Sequence, residues 1–488
     1  MGRAAIRWTK RAAAGLAIAL AAVLGVRAWD SLSGPPLELW HTFVPTELSA
    51  DEIARADWNG YLAAESAAFG EVQGEVTAKL PPRARIASNR YFDGSPLHPA
   101  RFPTDWNRSF VLEPDGVPKG AVVLLHGLTD SPYSMRGVAR RYRDRGYVAV
   151  AIRLPGHGTV PAGLTDVHWE SWSQAVRLAV REARRRAGAG APLHVVGYSN
   201  GGALAMKYAL DAIDDASLPR PDRIVLISPM IGVTSFARFA GIVGWPALFP
   251  SFARAAWLDI VPEFNPFKYN SFPVNAARQS SLVARGLQAQ IAGHARDGRL
   301  AGLPPILTFQ SVVDFTVSTR AVVTALYDQL PANGSELVLF DLNRHAVFGP
   351  FLREAAEGKL DSLLPAAPRT WRAAIVTNAS PDRFDVVEGT VEAGTRDERR
   401  RELPYAYPSD VFSLSHVALP FPIDDPLYGL EPDPAESFGV RLGALAPRGE
   451  RGTLVVGSDV LTRMSSNPFF PYLLARVDEG IGQAPARP

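Results

Sequence analysis

The chain has 488 residues, a formal net charge of +2 from 51 basic and 49 acidic side chains, and no cysteine. So even a charge balance gives a nucleic-acid partner no electrostatic support, and the missing cysteine excludes disulfides, thiolate metal sites and a cysteine nucleophile while fitting either redox compartment. The length allows a large core, as two domains or as one decorated domain.

Arg3, Arg7, Lys10 and Arg11 precede an apolar run over 12–26. A basic start followed by an apolar segment of this size is the pattern of an export signal. The run is short for a membrane span, although Trp8 and Trp29 suit the two interfaces. Val26-Arg27-Ala28 is a passable small-residue site for cleavage, made poor by Arg27 and the bulky Trp29. Residues 1–30 are therefore expected to be an uncleaved signal anchor first, a cleaved signal peptide second and a buried core helix third. With the positive charges inside, the remaining chain would lie beyond the inner membrane, in the periplasm of a bacterium. If cleaved, it would be an exported soluble form. Residues 31–104 mix a helix-like stretch over 51–69 with Pro and Gly breaks and form an N-terminal extension.

From Phe110 strands alternate with helices. Apolar strand-type runs lie at 120–126, 147–152, 193–196 and 223–228, and helical patterns at 134–145 and 167–186. Buried runs at this spacing call for a mostly parallel sheet covered by helices on both faces. The alternation stops near Pro229 and resumes at Pro305. The segment between is rich in aromatics (Phe236, Phe239, Trp245, Phe249, Phe252, Trp257) and too long for a bare loop, so it is expected to be a helical cap over about 232–303. A helix over 319–330, a strand over 336–340, and strand-like runs at 373–376 and 411–416 follow. The mixed-charge run 396–402 reads as a solvated loop and 480–488 as a disordered tail. The expected division is a core over 105–345 and a C-terminal extension over 346–479 that completes the same domain. Sequons at Asn107, Asn333 and Asn378 carry little weight without a eukaryotic secretory route.

Three motifs follow strands of this series. Gly197-Tyr198-Ser199-Asn200-Gly201 matches G-x-S-x-G between a strand and a helix that opens on small residues. A strand reversing into a helix within so few residues strains the central serine and lets only small neighbours pass, which holds the Ser199 hydroxyl above the sheet. His126-Gly127-Leu128-Thr129-Asp130-Ser131-Pro132 stands where an oxyanion loop belongs, with the Leu128 amide as one donor and the Asn200 amide as the other. Arg153-Leu154-Pro155-Gly156-His157-Gly158 caps the next strand.

In this order the three motifs resemble the α/β-hydrolase fold, and within it the branch of monoglyceride lipases, lysophospholipases and carboxylesterases, over residues 105–345. The resemblance implies a serine hydrolase cleaving small-molecule or lipid carboxylic esters through an acyl-enzyme, with no cofactor. His126 and His157 are expected to shape turns, and no cluster suggests a catalytic metal. Asp314, in Asp314-Phe-Thr-Val317, resembles the acid loop of the family. The alternative is that it caps the next helix, a task open to Ser318 or Thr319, and Asp341 is the reserve acid. The base is open between two residues. His345 follows the expected last strand; His416 comes after an insertion of about 70 residues, but its Ser-His-Val context resembles the base turn of carboxylesterases. The C-terminal extension would also be hard to explain if it stood clear of the site. His416 is preferred and His345 kept as the alternative. The rivals are another acyl-transfer activity on the same residues (peptidase, thioesterase or acyltransferase) and a non-enzymatic membrane-tethered binding module.

Overall fold

The computed structural model describes residues 2–33, 36–232, 250–446, 448 and 453–482. Its centre is a ten-stranded sheet made of β1 (Phe110–Leu112), β2 (Gly120–Leu125), β3 (Tyr147–Ile152), β4 (Leu193–Tyr198), β5 (Arg223–Ile227), β8 (Ile306–Ser311), β9 (Glu336–Phe340), β10 (Arg372–Asn378), β11 (Asp385–Val391) and β12 (Glu398–Ala406). The order is β1-β3-β2-β4-β5-β8-β9-β10-β11-β12. Neighbours from β3 to β10 run parallel, while β1, β11 and β12 pair antiparallel at the two edges. Two short strands, β6 (Trp257–Asp259) and β7 (Phe272–Pro273), form a separate ribbon.

The apolar runs follow from this burial. Along β2, Ala121, Val123 and Leu125 join the core on one face and Val122 and Leu124 the core on the other, so no position faces water. The first face is covered by the helices Trp169–Ala187, Asn200–Asp214 and Val274–Arg296, and the second by Arg136–Asp144 and Phe470–Asp478. Each fully buried Val, Leu or Ile contributes about 1.5–3 kcal/mol.

Several local expectations need correction. The run 396–402 is not a loop, because β12 begins at Glu398. It is an edge strand whose exposed Arg399, Arg400 and Arg401 deter pairing with another chain, so it lacks the apolar alternation by which strands are recognised. Residues 411–416 are bends and turns, not a strand; Leu414 and His416 are buried by tertiary contacts, and turn hydrogen bonds join Val411 to Pro408 and Ala418 to Ser415. The helix-like stretch 51–69 divides into Ala50–Arg55 and Trp58–Glu75, with Asp57 accepting from the Gly60 amide at the second start.

Residues 2–33 are helical. Among the described residues no helix is long and apolar enough to cross a membrane. The uncharged stretch between Arg11 and Arg27 rises only ~22 Å at 1.5 Å per residue, against ~30 Å of hydrocarbon. The expected membrane anchor therefore finds no support in the helix itself. Phe236, Phe239, Trp245 and Phe249 of the expected cap, and 483–488 of the expected tail, lie outside the described residues. The described part of the cap holds the ribbon β6–β7 and the helix Val274–Arg296.

Candidate active site

Ser199 links β4 to the helix Asn200–Asp214 with φ 53° and ψ −116°. A non-glycine residue held there stores of order 1–3 kcal/mol and persists only where its surroundings dictate it. The surroundings are backbone. A Cβ on Gly197 would lie 2.3 Å from the Gly201 carbonyl oxygen, and one on Gly201 2.2 Å from that of Leu125. The Ser199 amide donates to the Ile227 carbonyl at 3.0 Å, and its own carbonyl accepts from the Gly202 and Met230 amides at 3.0 and 2.9 Å.

The loop after β2 lies directly on this elbow, since a Cβ on Gly127 would meet the Tyr198 ring at 3.1 Å and Ser199 Cβ at 3.3 Å. Asp130 Oδ2 accepts from the Gly127 amide at 3.3 Å, and Thr129, at φ 58°, offers its carbonyl to the Tyr269 amide at 2.7 Å. His126 donates from Nδ1 to the Gly127 carbonyl (2.9 Å) and accepts at Nε2 from the Leu154 amide (3.0 Å), tying this loop to the turn after β3. That use of both nitrogens requires the neutral ring, and burial, with His157 nearby, holds it well below the ordinary histidine range. His157 is likewise buried against the Leu154 and Pro155 carbonyls, and burial lowers it to about 4.

Asp314 follows β8 with a buried carboxylate. Oδ1 accepts from the Thr316 and Val317 amides at 2.8 and 2.9 Å. Oδ2 meets His416 Nδ1 at 2.8 Å and Gln310 Nε2 at 3.1 Å. Burial alone would raise this carboxyl, but the His416 charge and hydrogen bond and the two amides outweigh it and hold it below the ordinary aspartate value. Helix capping falls to Ser318, whose Oγ accepts from the Ala321 amide at 3.1 Å. Asp341 is occupied elsewhere, paired with Arg344 at 2.9 Å and with Thr377.

The structure brings His416 to Asp314 and places His345 apart from them. His345 stacks on Phe384 at 3.9 Å between ring centroids, and its Nδ1 accepts from the Val347 amide. His416 is 4 % exposed. Its carbonyl accepts from the Tyr198 hydroxyl at 3.3 Å and its ring lies 5.3 Å from the Tyr198 ring, which sets it beside the residue preceding Ser199.

Four features thus meet at the carboxyl ends of the parallel strands: the strained serine after β4, the loop after β2, the acid after β8 and a histidine returned from the far edge. Residues 116–349, just under half of the chain, match a family model described as serine aminopeptidase, S33. The fold is that of an α/β-hydrolase. One curated relative is the thermostable monoacylglycerol lipase of Bacillus sp. (strain H-257), 26 % identical over 171 residues, which are 35 % of this chain and 64 % of that lipase. The chain therefore spans less than two thirds of that relative. Similar solved structures include a soluble variant of monoglyceride lipase from Saccharomyces cerevisiae (13 % identity, TM-score 0.38, covering 47 % of this chain and 81 % of that one). Another is the monoacylglycerol lipase of Paleococcus ferrophilus (17 %, TM-score 0.36, 48 % and 88 %).

The site also draws on residues that carried no signal in the sequence. Glu47 and Glu65 of the N-terminal extension hold the fully buried Arg153, at 2.7 and 3.1 Å, and Arg153 in turn donates to the His157 carbonyl at 2.9 Å. Asp425 of the C-terminal extension accepts from the Tyr133 hydroxyl (2.8 Å) and pairs with Arg136 (3.0 Å) just after the loop at 126–132. Both additions are clamped to the turns that frame the site.

Proposed function

We propose that the protein is a serine hydrolase that cleaves carboxylic esters with Ser199 as nucleophile, His416 as base and Asp314 as its orienting acid. The observation that carries this reading is the 2.8 Å hydrogen bond between His416 and the buried Asp314, with the His416 ring 5.3 Å from that of Tyr198, the residue before the strained Ser199. Ser199 attacks the acyl carbonyl while His416 takes its proton from the Nε2 side, and Asp314 holds the tautomer and stabilises the imidazolium. The Leu128 and Asn200 amides receive the developing oxyanion, each such donor typically contributing about 3 kcal/mol. His416 then protonates the departing alcohol, and water releases the acid from the acyl-enzyme by the same steps in reverse. Monoacylglycerol lipases among the relatives support a lipid ester as substrate.

The family description names aminopeptidases, so peptide cleavage by the same residues is the rival. A fluorophosphonate probe should label the wild-type protein and leave Ser199→Ala unlabelled. p-Nitrophenyl esters of several chain lengths should be hydrolysed and aminoacyl anilides left intact. Absent or Ser199-independent labelling would remove the enzyme reading, and activity on anilides alone would remove the esterase reading.

A further inference from the structure

Gln310 is the penultimate residue of β8, stands four positions before Asp314 and is fully buried. Its Nε2 donates to Asp314 Oδ2 at 3.1 Å, the oxygen that also meets His416 Nδ1, and to Thr319 Oγ1 at 3.2 Å. Thr319, itself buried, spends its hydroxyl proton on the Ser311 carbonyl at 3.0 Å, so towards the amide its oxygen only accepts. This fixes the orientation of the amide. Turned over, it would set Oε1 against the Asp314 carboxylate and the Thr319 lone pairs. Gln310 Oε1 has no hydrogen-bond partner among the described residues, so this buried side chain serves its surroundings through its donor end alone.

A carboxylate offers about four lone-pair positions, two on each oxygen. Asp314 has a donor for each: the Thr316 and Val317 amides on Oδ1, His416 and Gln310 on Oδ2. The two backbone amides hold only the first oxygen. A carboxylate anchored at one oxygen can still rock about its Cβ–Cγ bond, and Oδ2 would then follow the imidazole instead of directing it. The Gln310 amide ties the second oxygen to β8, a rigid central strand, and leaves Nδ1 a lone pair of fixed direction. Hydrogen bonds to an ionised acceptor are among the stronger ones, which suits a contact meant to hold geometry. The orienting acid of a serine nucleophile works through the ring position and tautomer it imposes, so slack at Oδ2 reaches the reaction through the histidine.

We propose that Gln310 is a positioning residue for the reaction: backed by Thr319, it anchors Asp314 Oδ2 and so fixes the His416 imidazole that serves Ser199. The inference rests on the serine-hydrolase reading of the same site and adds to it a residue that acts through Asp314 without touching the substrate. Gln310→Met, of similar volume but with no donor, should lower kcat for a p-nitrophenyl ester by about tenfold and leave KM within about threefold. Placed in an Asp314→Asn background, the same substitution should cost less than about twofold, because its effect runs through the carboxylate. Thr319→Val should lower kcat by about threefold or more, and Thr319→Ser, which keeps the hydroxyl, should lose less than Thr319→Val. A Gln310→Met kcat within about twofold of wild type would overturn the proposal. So would an equal fold-loss with and without the Asp314→Asn change, which would make Gln310 a packing residue. If urea unfolding shows that Gln310→Met does not fold, the Thr319 pair decides, and equal kcat for its Val and Ser variants overturns the proposal. Each of these results leaves the esterase reading intact. No ester turnover and no fluorophosphonate labelling of the wild type would instead sink that reading, and the role of Gln310 with it.

Discussion

His416 reaches Asp314 because the excursion that separates it from β9 is closed at its base. The Asn343 amide donates to the Phe412 carbonyl at 3.0 Å, and Asn343 Nδ2 to the Val411 carbonyl at 2.9 Å. The Tyr407 hydroxyl also hydrogen-bonds the Asp341 carbonyl. The chain thus leaves the site near 343, builds β10, β11 and β12 onto the sheet edge, and returns to where it left. A long insertion whose ends are tied together displaces nothing at its root. His345 stands at the exit of this excursion and His416 follows its re-entry. Only the latter is paired with the acid, and that assignment has a kinetic consequence. His416→Ala should lower kcat/KM for a p-nitrophenyl ester by about 10⁴–10⁶-fold, the range for removing one member of such a triad, whereas His345→Ala should stay within about threefold of wild type. A loss confined to His345→Ala would reverse the assignment.

At the level of elements, the turn after β3 is held by an ion-pair cluster that spans the chain. Arg153, 1 % exposed at its side chain, is clasped by Glu65 (3 %) and Glu47 (18 %), and the Tyr61 hydroxyl donates to its carbonyl at 2.6 Å. Removing one partner of such a pair leaves a buried charge bare, which typically destabilises by about 3–5 kcal/mol, whereas replacing both by apolar side chains is often tolerated. Arg153→Met, which strands both carboxylates, should therefore lower the unfolding free energy in urea by about 3–5 kcal/mol, and Glu65→Ala, which leaves Arg153 on Glu47, by less. An Arg153→Met effect below about 1 kcal/mol would mean the cluster is solvated and carries no structural load. No pattern in the sequence announces this cluster: its members lie 88 and 106 positions from Arg153, and isolated acids in an irregular extension read as surface. The central strands were legible because burial on both faces leaves a continuous apolar run. The elbow was legible because the backbone itself excludes a side chain at Gly197 and Gly201. By contrast, β12 wears its charges outward at the edge, and 411–416 owes its apolar character to tertiary contacts that no local periodicity encodes.

For the molecule as a whole, the buried histidines set its response to acid. Burial lowers His41 to about 4, with Arg254 adding to the effect, and His157 to about 4. Burial and the nearby Arg223 bring His194 to about 3, and His126 lies well below its ordinary value of 6.5. Each is neutral in the folded state, and each takes up a proton on unfolding once the pH is below about 6.5. In that range the unfolded chain binds more protons, so folding stability rises with pH. The contribution of each histidine is complete above about pH 6.5 and is lost as the pH falls through its folded value, near 4 for His41 and His157 and near 3 for His194. The slope approaches about 1.4 kcal/mol per pH unit for each such histidine. Asp130, Asp259, Glu263, Asp328 and Glu336, pushed up by burial, act in the opposite sense, since the folded state keeps protons that the unfolded state has released. Urea unfolding should therefore give a free energy at pH 5 lower than at pH 7 by about 2 kcal/mol for each neutral histidine not offset by a buried acid. His194→Gln, whatever it does at pH 7, should flatten the profile between pH 6.5 and 4 by about 1 kcal/mol per unit. An unchanged slope in that variant would show that His194 titrates alike in the folded and unfolded chains, and that its hydrogen bond to the Tyr142 hydroxyl tolerates the charged ring.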